Sequence, residues 1–208
     1  MTSPPEPVAL LRRAAGTRRA PLVPLLHGNG ADEENFFPLE ALFPPNVAVA
    51  ALRGPIPSEG GYRWYAHHDV GLPIAASLHA GMAYVEAWLA ANRGDANVVR
   101  LIGFSGGAVM AGALALHAPQ RYGAVAMLHG TLPFDAGLPL EPDRLARCEV
   151  FYGYGETDEV MPAGLVERSC AYLRDQSGAN AVIRSYRAGH TIPLAETRDL
   201  VRWYAALG

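Results

Sequence analysis

The protein has 208 residues, of which 50% are hydrophobic and 18% charged, and its formal net charge is −3. This length and hydrophobic content suffice for one domain with a large core, and the mild negative charge gives no electrostatic basis for binding nucleic acid or an anionic membrane. All 17 basic residues are arginines, so the chain lacks the lysine that Schiff-base, pyridoxal-phosphate and phosphate-loop chemistry requires.

The amino-terminal residues 1–7 lack the charged and then apolar organisation of a signal peptide, and no run of about 18 apolar residues occurs in the chain. We therefore expect a disordered tail at residues 1–7, no stable membrane insertion and a cytoplasmic protein. Cys148 and Cys170 have neither metal-ligand nor redox spacing, which favours two reduced, partly buried thiols.

Apolar runs typical of strands alternate with segments of helical periodicity along the chain. The pattern predicts strands at residues 8–13, 21–26, 47–52, 98–102, 124–128, 150–153 and 181–186. It predicts helices at residues 73–92, 106–118, 163–176 and 193–207. Right-handed crossovers between such units give a mostly parallel sheet with helices on both faces, which predicts an α/β fold in a single domain spanning residues 1–208. The segment of residues 131–147 is short and contains prolines, so it has no room for a cap domain.

Residues 60–69 are predicted to be a loop that carries several aromatic side chains and the cluster His67-His68-Asp69. The aromatic side chains could line a pocket or cover the core. Adjacent histidines on a loop are typically solvated, and no third distant ligand is evident, so we expect no metal site and no cofactor.

Gly103-Phe104-Ser105-Gly106-Gly107 joins a predicted strand directly to a predicted helix. A Gly-x-Ser-x-Gly motif in this context is typical of a strained turn that exposes its serine at the carboxyl end of a strand, above the positive end of the following helix. A strand-to-helix turn without chemistry is the alternative interpretation.

Three residues suited to nucleophilic catalysis each follow a predicted strand. Ser105, Asp158 and His190 occur in the order nucleophile, acid, base, and the loops after parallel strands gather at one edge of a sheet. A serine hydroxyl needs a base to take its proton, and the base needs a carboxylate to fix its tautomer. We therefore predict that these three residues form a catalytic triad.

Other residues are alternatives for two of the three roles, those of the acid and the base. Glu156 and Glu159 flank Asp158, and either carboxylate could replace it as the acid. His129 also follows a predicted strand and could be the base, although a buried histidine bonded to backbone is its commoner role. The turn at residues 27–32, after the second predicted strand, could supply amides to an oxyanion hole.

Six stretches of the chain resemble the phospholipase/carboxylesterase family of α/β-hydrolases, which includes acyl-protein thioesterases and small bacterial carboxylesterases. They are LLHGNGADEENFFPL from Leu25, LRGP from Leu52, GGYRWY from Gly60, LIGFSGGAVMA from Leu101, and GETDEVMP with AGHTIP from Gly155 and Ala188. The resemblance implies an α/β-hydrolase fold.

The resemblance also implies roles for particular residues. Ser105, Asp158 and His190 match the nucleophile, acid and base positions, and the amides of Asn29 and Gly106 match the oxyanion hole. Two positions depart from the family pattern: Gly106 stands where glutamine is usual, and Tyr154 stands where a histidine is usual.

We therefore expect a serine hydrolase that cleaves short- to medium-chain carboxylic esters, or thioesters, through an acyl-enzyme. The expected partner is a small-molecule ester, and a homodimer is suggested by resemblance alone. Loop position suggests that Trp64, Leu132, Met161 and Ile192 contact the substrate. The alternatives are hydrolysis of a lactone or a carbon–carbon bond on the same triad, or a non-catalytic binding module that retains the fold.

Overall fold

The computed structural model describes residues 7–16 and 19–208, so residues 1–6 of the predicted tail lie outside the described residues. The strands are β1 (Ala9–Arg12), β2 (Leu22–Leu26), β3 (Ala48–Leu52), β4 (Ile56–Ser58), β5 (Gly61–Arg63), β6 (His67–Asp69), β7 (Leu72–Pro73), β8 (Val99–Phe104), β9 (Tyr122–Leu128), β10 (Glu149–Gly155) and β11 (Asn180–Tyr186). The helices are α1 (Glu33–Phe36), α2 (Ala75–Asn92), α3 (Gly106–His117), α4 (Ala163–Asp175) and α5 (Leu194–Ala206). Short 3₁₀ turns occupy Phe37–Leu42 and Pro119–Arg121.

Seven strands form one sheet in the order β1-β3-β2-β8-β9-β10-β11. Neighbouring strands are parallel except β1, which pairs antiparallel with β3 at one edge. This arrangement confirms the predicted mostly parallel sheet. Residues 129–148, between β9 and β10, contain no helix or strand.

The sheet is covered by an apolar layer on each face. Side chains of α2, α3 and α4 pack on one face, and those of α1 and α5 pack on the other. Adjacent strand residues face opposite layers, as Leu101 and Ile102 of β8 do. Burial on both faces explains why the central strands are almost continuously apolar in the sequence.

The segment 60–69, which the sequence predicts as a loop, instead contributes one strand to each of two small hairpins. Strand β4 pairs with β5, and β6 pairs with β7. The first hairpin is held by tertiary contact, because the amide of Gly30 donates to the carbonyl of Tyr62 and the amide of Tyr62 donates to the carbonyl of Ala31, both at 2.9 Å. Local sequence does not encode such a pairing with a distant turn, and the prediction of a loop was therefore wrong.

Both cysteines are free thiols, and they are buried rather than partly buried as the sequence predicted. None of the helices in the described part of the chain has both the length and the apolar character needed to cross a bilayer.

Gly107→Ala should destabilise the fold, because a Cβ atom at this position would overlap the carbonyl oxygen of Leu26 in β2. We expect a loss of about 3 kcal/mol in the free energy of unfolding, measured by urea denaturation. Gly164→Ala is the matched control, since nothing lies within 4 Å of the added atom in α4, and it should gain about 0.5–1 kcal/mol. Equal unfolding midpoints for the two variants would contradict this account.

Candidate active site

Ser105 occupies the tight turn between β8 and α3, with φ at 54° and ψ at −119°. Few residues other than glycine adopt positive φ, so this serine is held in a strained conformation. Its amide donates to the carbonyl of Leu128 at 2.9 Å. An added Cβ on Gly103 would overlap the carbonyl oxygen of Gly107. The strained turn predicted from the motif is present, and its glycines are required by close backbone contacts.

The structure brings Ser105, His190 and Asp158 into one chain of hydrogen bonds. The hydroxyl of Ser105 lies 2.8 Å from Nε2 of His190, and Nδ1 of His190 lies 2.8 Å from Oδ2 of Asp158. An imidazole nitrogen beside a carboxylate carries the proton, so Nδ1 donates and Nε2 is left to accept from the serine. This is the tautomer that a general base for Ser105 requires.

The other oxygen of Asp158 is held by its own loop. The amides of Val160 and Met161 donate to Oδ1 at 2.9 and 3.0 Å. Burial favours the neutral acid, but the hydrogen bonds from His190 and from these amides outweigh it and lower the pKa of Asp158 below its ordinary value. Asp158 is therefore ionised at neutral pH.

The alternative acids lie away from the histidine. Glu156 is exposed and accepts a hydrogen bond from the hydroxyl of Ser185 at 3.0 Å, and Glu159 is exposed. The alternative base, His129, is fully buried and also bonds Asp158, with Nδ1 at 3.2 Å from Oδ2. The expectation that its ring bonds to backbone was wrong, because the ring lies between two carboxylates, those of Asp158 and Glu196.

The predicted oxyanion residues lie next to the serine. Asn29 and Gly106 line a cavity of about 290 Å³ together with Ser105 and His190. A Cβ atom on Gly106 would overlap the side-chain amide of Asn29. Glycine at position 106, which departs from the family pattern, is thus explained by the space that Asn29 occupies.

Two buried residues, His27 and Trp64, hold the oxyanion turn through hydrogen bonds that the sequence did not predict. Nδ1 of His27 donates to the carbonyl of Gly28 at 2.7 Å, and Nε2 accepts from the amide of Gly54 at 2.9 Å. Burial lowers the pKa of His27, which keeps its ring neutral for this pair of bonds. The indole of Trp64 donates to the carbonyl of His27 at 2.8 Å.

Two of the four predicted substrate contacts were wrong. Trp64 and Leu132 are 0% and 1% exposed, because both pack into the core under the site. Met161 lines the cavity that contains Ser105, and Ile192 lines an adjacent cavity of about 380 Å³ with Asn29 and Phe104. Met161 and Ile192 therefore lie where a substrate could reach them.

The only three potential metal ligands that converge within residues 7–16 and 19–208 are His129, Asp158 and His190, whose ligand atoms lie within 4.8 Å of one another. Their distances are those of hydrogen bonds, which the ring protons of both histidines satisfy. The His67-His68-Asp69 cluster does not belong to this group.

A model of the family described as Phospholipase/Carboxylesterase matches residues 71–206. The chain belongs to this family. The match includes Ser105, Asp158 and His190, and it begins after the turn that carries Asn29. The protein is therefore a hydrolase of the phospholipase/carboxylesterase family, as the sequence resemblance predicted.

Proteins similar to this member of the family align with it over most of its length. The Bacillus subtilis protein MhqD is 26% identical over 184 residues, which cover 86% of this chain and 90% of that protein. The structure of a carboxylesterase from Mesorhizobium loti is 29% identical with a TM-score of 0.81, over 94% of this chain and 92% of that chain. The Bacillus cereus carboxylesterase has a TM-score of 0.83 at 22% identity, over 96% and 94% of the two chains. The predicted α/β-hydrolase fold is thus confirmed.

Trp64→Phe should impair catalysis without changing substrate contacts, because it removes the N–H group that holds the oxyanion turn, together with part of a buried ring. We expect a loss of about 1–2 kcal/mol in stability and a kcat lower by about tenfold, with KM within about twofold of the wild-type value. Steady-state kinetics on a soluble ester and thermal unfolding would measure both effects.

Trp88→Phe is the control for lost packing, since Trp88 is also buried in the same core cluster. A change in KM or in chain-length preference for Trp64→Phe, with kcat unaltered, would instead restore Trp64 as a substrate contact.

Proposed function

We propose that this hydrolase is a serine carboxylesterase that cleaves short- to medium-chain acyl esters, and also thioesters, through an acyl-enzyme. The observation that carries the proposal is the continuous chain of hydrogen bonds from Ser105 through His190 to Asp158, with both links to His190 at 2.8 Å. The carboxylesterase from Mesorhizobium loti, a structural relative at 29% identity, supports the same reaction class.

In the first half of the reaction, the hydroxyl oxygen of Ser105 attacks the ester carbonyl while Nε2 of His190 takes its proton. The tetrahedral intermediate carries a negative oxygen, which the amides of Asn29 and Gly106 stabilise. The intermediate collapses when Nε2–H of His190 gives the proton to the departing alcohol or thiol, which leaves the acyl group on Ser105. Asp158 holds the tautomer of His190 and stabilises its imidazolium throughout.

In the second half, water replaces the alcohol. His190 takes a proton from water as its oxygen attacks the acyl carbon, and the same oxyanion amides stabilise the second tetrahedral intermediate. Protonation of the Ser105 oxygen by His190 then releases the carboxylic acid and restores the free enzyme. The positive end of α3, which begins at Gly106, favours the negative charge that develops in both halves.

The surroundings of Ser105 support a modest apolar substrate. The cavity of about 380 Å³ beside the nucleophile is lined by Phe36, Leu39 and Ile192, and the cavity of about 290 Å³ contains Ser105 itself. We propose that the acyl chain occupies the first cavity, because its wall is the more apolar, and that the alcohol leaves through the second. Residues 129–148, which follow β9, contain no helix or strand that could form an inserted cap.

Ser105→Ala should retain the fold and lower turnover of p-nitrophenyl esters by at least about 10⁴-fold, because the nucleophile is removed while the oxyanion amides remain. Intact mass after fluorophosphonate treatment should show one label on the wild type and none on the variant. An active alanine variant would overturn the nucleophile assignment. A labelled wild type that turns over lactones or carbon–carbon substrates faster than esters would move the reaction to that class.

Asp158→Asn should also lower turnover by about 10⁴-fold, because the amide would donate to Nδ1 of His190 and leave the wrong tautomer facing the serine. Glu156→Gln and Glu159→Gln are matched neutralisations in the same loop and should keep the rate within about twofold. Steady-state rates of the three variants identify which carboxylate is the catalytic acid. Activity retained by Asp158→Asn and lost in either glutamine variant would transfer the role to that glutamate.

A further inference from the structure

A second histidine, His129, contacts the catalytic acid Asp158, and the proposed mechanism does not use it. His129 follows β9, has no exposed surface and adopts a φ of 50°. Its amide donates to the carbonyl of Gly153 at 2.8 Å, which fixes the backbone against β10. Non-glycine residues at positive φ are uncommon and concentrate at functional sites.

Both ring nitrogens of His129 face carboxylate oxygens. Nδ1 lies 3.2 Å from Oδ2 of Asp158, the same oxygen that accepts from His190, and Nε2 lies 2.9 Å from Oε2 of Glu196. A neutral ring has one N–H group and one lone pair, so it can donate to only one of two ionised carboxylates. The doubly protonated ring satisfies both contacts.

Glu196, the second carboxylate at the His129 ring, is completely buried. It lies in the first turn of α5, where the helix dipole favours an anion. A Cβ atom on Gly153 would overlap its Oε1 atom, so the carboxylate packs directly on the backbone of β10. Burial opposes the charged form of His129, but the bonds and charges of Glu196 and Asp158 outweigh it and raise the pKa of that ring above its ordinary value.

We propose that His129 and Glu196 are positioning residues for the catalytic acid: Glu196 holds His129 as an imidazolium, and its Nδ1–H fixes the Asp158 oxygen that orients His190. The inference rests on the proposed function. Neither residue touches a reacting atom. The titratable groups that face His129 are Asp158, Glu196 and His190, whose ring centroid lies 5.9 Å away, and Tyr154, Glu156 and Glu167 line the cavity of about 170 Å³ beside it.

The buried cation has a consequence for the pH profile. A positive charge behind Asp158 reduces the negative potential at His190 and so makes protonation of His190 less favourable. Glu196→Gln removes the charge of Glu196 and, with it, the carboxylate that stabilises the second proton on the His129 ring. The lost cation contacts Asp158 directly and its ring centroid lies 5.9 Å from that of His190, whereas Glu196 contacts the other ring nitrogen of His129. The potential at His190 therefore becomes more negative and its imidazolium more stable.

The test combines kinetics with a readout that does not need activity. For Glu196→Gln we expect the acid limb of kcat/KM to move to higher pH by about one unit and kcat to fall by about tenfold, with KM within about twofold. In ¹⁵N-histidine spectra at about pH 8, above the ordinary histidine pKa, both ring nitrogens of His129 should be protonated in the wild type and one in Glu196→Gln. Asp199→Asn is the control, because it neutralises a carboxylate of the same helix that bonds Tyr186, and it should shift neither readout.

A second variant tests the inference even if Glu196→Gln does not fold. His129→Gln keeps a hydrogen-bond donor for Asp158 but carries no charge. If His129 and Glu196 act on Asp158 together, the double variant with Glu196→Gln should be no slower than the slower single variant. Unaltered kcat and acid limb in folded variants, or a neutral His129 ring in an active wild type, would overturn this inference alone. A wild type that hydrolyses no ester would instead overturn the proposed function, while the spectra still report the charge of His129.

Discussion

The close approach of the Ser105 turn to β2 is the constraint on which the site depends. The backbone of Gly107 lies against the carbonyls of Leu26 and His27, so the start of α3 can pack on the sheet only without side chains there. This contact forces the chain to reverse within a few residues, and Ser105 takes the positive φ that the reversal requires. A strained serine persists because the sheet on one side and helix α3, buried from Gly106 to Leu116, on the other determine its backbone.

The same approach brings the oxyanion turn to the nucleophile. Strand β2 ends at Leu26, and the residues that follow it lie directly beside the serine, with Asn29 over Gly106. The turn has little regular structure of its own. Its geometry depends on bonds from distant segments, through Gly54, Tyr62 and Trp64. A hydrogen-bond donor aimed at a developing charge is effective only when it is held in place before the reaction, and these bonds supply that restraint.

On the opposite side of the serine, Asp158 collects hydrogen bonds from three segments of the chain. Its own loop supplies two amides, the loop after β11 supplies His190, and the segment after β9 supplies His129. Each of these loops leaves the carboxyl end of a parallel strand, so the sheet topology itself gathers them at one edge. Carboxylates and imidazoles packed this closely are coupled electrostatically, and the charge on any one depends on its neighbours.

The sequence by itself determined the order of the strands of the main sheet and of helices α2 to α5, the mostly parallel sheet and the positions of Ser105, Asp158 and His190. These features are encoded locally, by apolar runs, by helical periodicity and by glycines around a serine, and the order of the three loops then follows from the topology. The tertiary structure alone decided that Trp64 and Leu132 belong to the core, because burial depends on what packs over a loop. It also placed Glu196 beside His129, although 66 residues separate them in the sequence. No periodicity records such a pair, since a contact between a helix start and a strand end arises only when the sheet has formed.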